Sequence, residues 1–161
     1  MSVETDGQPS EVAAHVLRQF RQVFNAVKTH FQQVERKVGM GGARVWALSV
    51  IRDTPGIGVG DLAREMDIHQ STASNLVKVL VEREFIAASK HSSDRRAVQL
   101  RLLPAGAKVL RRSPGPYTGV LPMAIGTLDG KTLKRMEKDL AKLIAALNAD
   151  EAAGGIPLAE L

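Results

Sequence analysis

A chain of 161 residues, 44% hydrophobic but only 4% aromatic, has room for one compact module whose core must be built from Leu, Val, Ile and Ala. Its 22 Lys and Arg against 17 Asp and Glu leave a formal net charge of +5, which favours a polyanionic partner. Cysteine is absent, excluding disulfides, thiolate catalysis, Cys-ligated zinc and thiol redox sensing. No run approaches the roughly 18 apolar residues of a membrane helix, and no signal pattern opens the chain, so a cytoplasmic protein is expected.

Residues 1–9 are polar, contain Gly and Pro, and read as a flexible tail. Ser10 is a suitable N-cap. Beyond it Val12, Val16, Phe20, Val23, Val27, Phe31, Val34 and Val38 recur at helical spacing, which predicts one helix of about 40 Å. So long a stripe is either a core element of one chain or half of a contact with a second subunit. Gly39, Gly41 and Gly42 end it. A buried second helix is predicted over 43–52, with a turn at Asp53-Thr-Pro-Gly56.

Val59, Leu62, Ala63 and Met66 then line one short helix, and Ala73, Leu76, Val77 and Leu80 line the next. Asp67-Ile-His69 is a tight connection that makes the two cross steeply, with Ile68 plugging the angle. Two strand-like runs follow, 85–90 and 97–102. The alternation of Val98, Leu100 and Leu102 with Gln99 and Arg101 marks a half-buried strand, and the polar turn His91-Ser-Ser-Asp-Arg-Arg96 makes a basic hairpin tip. Pro104 opens a helix over 105–112, which Ser113-Pro-Gly-Pro116 must interrupt. An apolar helix at 120–128 and a last one capped by Asp129 complete the elements. On that last helix Leu133, Met136, Leu140, Leu143, Ile144 and Leu147 form one face. The residues from 150 to 161 carry Gly and Pro and are expected to be a second flexible tail.

What the second short helix exposes carries the functional argument. Gln70, Ser71, Thr72, Ser74, Asn75 and Lys78 lie away from its apolar stripe. Short hydrogen-bonding groups at a helix N-terminus can reach base edges and phosphates in a major groove. A solvated face with capping Ser and Thr would look the same in isolation. The hairpin that follows tips the balance: its tip carries Arg95 and Arg96 with Lys90 at the base, and an arginine on such a tip can enter the negative potential of a narrow minor groove. Asp94 would orient a neighbouring guanidinium or simply start the turn.

At these residues the chain resembles the MarR family of winged-helix regulators. The resemblance rests on Val59-Gly-Asp-Leu-Ala63, Gln70-Ser-Thr-Ala-Ser-Asn-Leu-Val77, Leu80-Val-Glu-Arg-Glu-Phe-Ile86 and Ser93-Asp-Arg-Arg96 ahead of Leu-Pro-Ala-Gly106. It implies a mainly α fold with a small β-hairpin wing. The single module would span 10–149, with a winged-helix DNA-binding lobe at 43–103 and dimerisation helices at 10–38 and 105–149. It also implies a homodimer on a pseudo-palindromic duplex, a recognition helix carrying Ser71, Thr72, Ser74, Asn75 and Lys78, and a wing carrying Asp94, Arg95 and Arg96. Three departures stand out: Asp67 where Gly is usual, His69 where a Ser-type cap is usual, and the Pro-Gly-Pro break at 114–116. Asp tolerates a left-handed backbone, so the turn should survive, and His69 either weakens the cap or replaces it with a base or phosphate contact.

The function that the resemblance implies is a sequence-specific transcriptional repressor released by a small aromatic or phenolic effector. Trp46, Phe20, Phe24, Phe31 and His30 read as ordinary core in preference to an effector cavity, since few polar groups converge there, and no effector-binding residue is assigned. His15, His30, His69 and His91 are too scattered for a metal site, and no cofactor is implied. The rival reading is a winged helix used for protein–protein contact with weak or no specific DNA binding. Catalysis is not expected, for the chain shows no nucleophile–base pair, phosphate loop or carboxylate dyad.

Overall fold

The computed structural model describes residues 10–91 and 94–160; the expected 1–9 tail lies outside them, as do the side chains of 91–96. Ser10 caps α1 (Glu11–Val38), its Oγ accepting from the Ala13 N–H at 3.1 Å. Gly39 closes the helix at φ 73°, a left-handed turn that glycine adopts without strain. The chain reverses into α2 (Gly42–Asp53), whose Val45, Leu48 and Ile51 are wholly or almost wholly buried. A side chain at position 42 would collide with the Phe31 ring, 2.5 Å from an ideal Cβ, so glycine lets α2 cross α1 closely.

Helices α3 (Val59–Met66) and α4 (Gln70–Glu82) follow, joined through Asp67 at φ 52°, ψ 49°. The Ile68 N–H returns to the Ala63 carbonyl at 3.0 Å, closing the turn. The left-handed residue that a MarR-like turn requires is therefore present with Asp in place of Gly. Strands β1 (Ile86–His91) and β2 (Asp94–Leu102) pair antiparallel, Ile86 opposite Leu102 and Lys90 opposite Val98. They run further toward the tip than the alternation of apolar residues suggested, because backbone pairing continues past the last core-facing side chain. On the other edge of β2, Ile57 pairs with Leu100 through the Leu100 N–H to Ile57 carbonyl bond of 2.9 Å, anchoring the hairpin to the segment before α3.

One core joins these elements. Leu48, Ile51, Leu62, Met66, Leu80, Ile86 and Leu100 are its largest fully buried side chains, contributed by α2, α3, α4 and both strands. Pro104 opens α5 (Pro104–Arg112) at its first turn. The Ser113–Pro116 stretch interrupts the helix as expected. Tyr117 pins the connection, its hydroxyl donating to the Leu110 carbonyl at 2.9 Å and its ring lying 5.3 Å under the Arg52 guanidinium. Arg52 is held above its ordinary pKa by its bonds to Asp53 and Tyr117. Beyond lie α6 (Val120–Gly126) and α7 (Gly130–Leu147), with Asp129 accepting from the Thr132 N–H at 2.9 Å.

Two expectations are corrected here. The segment after α7 is not a loose tail over its described residues: it forms 3-10 turns at Glu151–Gly155 and Leu158–Glu160, buries Pro157 and packs Ala159 against the core. Its Ile-Pro-Leu-Ala run is apolar enough to seat on a groove, which the neighbouring glycines disguised. The five aromatic and His residues read as ordinary core also divide. His30 is buried and meets Phe31 edge-on at 5.5 Å, while Phe20 and Phe24 contact each other at 6.0 Å on the outer half of α1, where Phe24 is 66% exposed.

Candidate nucleic-acid interface

Helix α4 is split cleanly between two faces. Ala73, Leu76, Val77 and Leu80 are buried in the core, and Gln70, Ser71, Ser74, Asn75 and Lys78 are exposed, with Thr72 half-buried between them. The 3.6-residue period of the apolar positions produces this division, since burying that stripe against α3 and β1 turns every polar position outward. Among the described residues no side chain caps the N-terminus of α4. Its first-turn N–H groups, and the positive end of its dipole, are therefore free of a side-chain acceptor.

The hairpin begins four residues after α4 ends. Glu84 adopts φ 60° and the Phe85 N–H bonds the Leu80 carbonyl at 2.9 Å, so the strand leaves directly from the end of the helix. Lys90 is exposed on β1. The backbone of Asp94, Arg95 and Arg96 lies in β2, while their side chains fall outside the described residues. Among the described residues the ion pairs join Arg52 to Asp53, Arg64 to Asp61 and Lys142 to Asp139, none of which involves Lys78 or Lys90.

His69 is placed differently from its neighbours. Its backbone occupies the N-cap position, yet its ring turns to the segment after α7. Nε2 lies 2.7 Å from the Ala152 carbonyl, and the His69 N–H donates to the Gly155 carbonyl at 3.0 Å. A carbonyl only accepts, so Nε2 carries the proton.

The MarR family model matches residues 44–98, from α2 into β2. Over this stretch the chain is similar to the MarR family. The likeness in fold extends well beyond that stretch. Sco3205, a MarR family transcriptional regulator from Streptomyces coelicolor solved in complex with DNA, superposes with a TM-score of 0.59 at 21% identity, covering 95% of this chain and 98% of its own. The MepR–DNA complex of S. aureus gives a TM-score of 0.55 at 17% identity, over 83% and 96% of the two chains. YsmB of Bacillus subtilis (strain 168), an uncharacterised HTH-type transcriptional regulator, is 21% identical over 136 residues, 84% of this chain and 93% of its own.

Beside α3 and α4 lies a cavity of about 320 Å³, lined by Val27, Phe31, Trp46 and Ile68 together with Gly119–Pro122 and Ile156–Ala159. Phe31 and Trp46 thus line a cavity, contrary to the expectation of plain core, because Gly119–Pro122 and Ile156–Ala159 pack beside them and enclose it. The seat of the 150–160 segment, with Gly155 and the His69 bond, was missed. Its one sequence signal is an apolar quartet among glycines.

Proposed function

We propose that this chain is a dimeric, sequence-specific DNA-binding transcriptional regulator that represses by occupying its operator and is released by a small-molecule effector. The observation that carries the reading is the exposed row of Gln70, Ser71, Ser74, Asn75 and Lys78 on a helix whose opposite face is wholly core. Thr72 stands at its edge. These short side chains meet base edges and phosphates in the major groove, and the open N–H groups of the first turn favour phosphate. Lys90, Arg95 and Arg96 on the wing follow the backbone into the adjacent minor groove, with Asp94 orienting a guanidinium. His69 stands at the same helix end as a phosphate contact once its ring is free. Sco3205 and MepR were each solved with DNA, which supports the same use of the shared fold.

Dimerism rests on two unpartnered apolar faces. Along α1 the stripe passes from buried Val34 to exposed Val23, Val16 and Val12, the last 73% exposed. Helix α7 has no buried residue, and Leu140, Leu143, Ile144 and Leu147 all face solvent in the single chain. Apolar faces of this extent call for a second protein surface, and a two-fold copy supplies both at once. The effector reading rests on the cavity, whose largely apolar lining and size suit a small aromatic or phenolic molecule.

Selection of bound duplexes from a random DNA pool at physiological salt tests the reading. An enriched inverted repeat establishes a dimeric regulator and its half-site spacing. Retention without enrichment leaves a non-specific DNA-coating protein, and no retention transfers the polar face of α4 to protein–protein contact.

A further inference from the structure

The segment after α7 contacts the recognition helix at the position where DNA would meet it. Residues 150–160 cross the mouth of the helix-turn-helix: Asp150 caps the first 3-10 turn, Pro157 is buried, and Ala159 seats against α2 beside Gly42. Two hydrogen bonds tie this strap to His69, Nε2–H to the Ala152 carbonyl at 2.7 Å and the Gly155 carbonyl from the His69 N–H at 3.0 Å. An ideal Cβ at Gly155 would lie 2.5 Å from His69 Nε2. Glycine is thus the one residue that lets the strap approach the ring so closely, and the seat is built around the imidazole.

We propose that residues 150–160 form an autoinhibitory strap that withholds the His69 ring from the DNA phosphate, and that a small apolar molecule in the neighbouring cavity tightens it. The proposal rests on the DNA-binding reading above. A ring N–H already bonded to a carbonyl cannot donate to a phosphate, so the strapped protein lacks a contact at the N-terminus of α4, where the helix dipole favours the anion. Moving the strap off restores that donor. The cavity supplies the control, because Ile156 and Leu158 of the strap line it together with Phe31 and Trp46. A molecule bound there contacts the strapped state more extensively than the open one. By linkage it lowers DNA affinity by the same factor by which DNA lowers its own.

Two substitutions in the full chain release the strap from opposite ends. Gly155→Ala forces the His69 ring aside, and Ala159→Glu drives a carboxylate into the apolar seat beside Gly42. Affinity for a random-sequence duplex is read by fluorescence anisotropy at fixed salt. Each variant should bind about tenfold tighter than the unmodified chain, the size of one charge-assisted hydrogen bond, and the gain should vanish when His69→Ala is added. The NMR signal of His69 Nε2 provides a readout without DNA, and it should shift in both variants. Equal or weaker binding by both variants, or a gain that survives His69→Ala, overturns the strap. Binding by none of the proteins, with the His69 signal still shifting, overturns the DNA reading and with it the inhibition, though the contact itself stands.

Discussion

At the scale of single residues, the side chains that matter are those whose geometry leaves no alternative. Gly106 is one. It is buried at the start of α5, and a Cβ there would overlap the carbonyl oxygen of Phe85, a backbone atom that cannot swing away. Gly106→Ala should therefore destabilise the fold by about 1–3 kcal/mol, seen as a lower urea midpoint with an unchanged slope. Asn75 is the counterpart on the outer face, exposed in the middle of the polar row. Asn75→Ala should relax base preference at one operator position by about 1–3 kcal/mol if it reads a base edge. A uniform loss across all sequences would make it a phosphate contact instead. Arg95→Ala should weaken binding mainly at sites with a narrow minor groove, and unchanged affinity would remove the wing from the interface. The outward direction of Asn75 was legible in advance, because residue type and helical period alone decide which way it faces. The partner of His69 was not, since Ala152 lies 83 residues away and contacts it through a backbone oxygen that carries no sequence signature.

Among the elements, helix ends behaved as their capping chemistry required. Ser10 and Asp129 each accept a first-turn N–H, and both caps were readable as an Asp or Ser ahead of an apolar period. Asp129 accepts from both the N–H and the hydroxyl of Thr132, and these bonds hold its carboxyl below the usual 3.8. A carboxyl whose folded pKa is depressed contributes stability above its unfolded value and loses it as pH falls through the lower folded value. Helicity of α7 should accordingly decline on acidification below about pH 4, and Asp129→Asn should flatten that part of a circular-dichroism titration. A titration identical in the variant would assign the acid loss to other carboxylates. Strand ends were less legible than helix ends. The hairpin outruns its alternating pattern because ladder hydrogen bonds need no particular side chain.

For the whole molecule, the decisive feature is what a single chain leaves uncovered. The helix-turn-helix and hairpin share one closed core, whereas the outer half of α1 and all of α7 present Val, Phe, Leu and Ile to solvent. A second copy packed on these faces predicts a dimer by sedimentation equilibrium. Leu143→Glu should then raise its dissociation constant at least about 100-fold, since a buried unpaired carboxylate costs several kcal/mol. A monomer at micromolar concentration in the unmodified chain would mean that some other surface covers these faces.

Periodicity, capping residues and the order of elements sufficed to read a winged helix, the exposed polar face of α4 and the long apolar stripes, because each follows from which side chains lie a helical turn or a strand repeat apart. Three features depended on contacts between residues far apart in the chain. These are the depth to which α1 is buried, the cavity between Phe31, Trp46 and the residues beyond α7, and the seat of residues 150–160 on His69. They depend on how closely packed elements approach at positions such as Gly42 and Gly155, and a local pattern contains no measure of that approach.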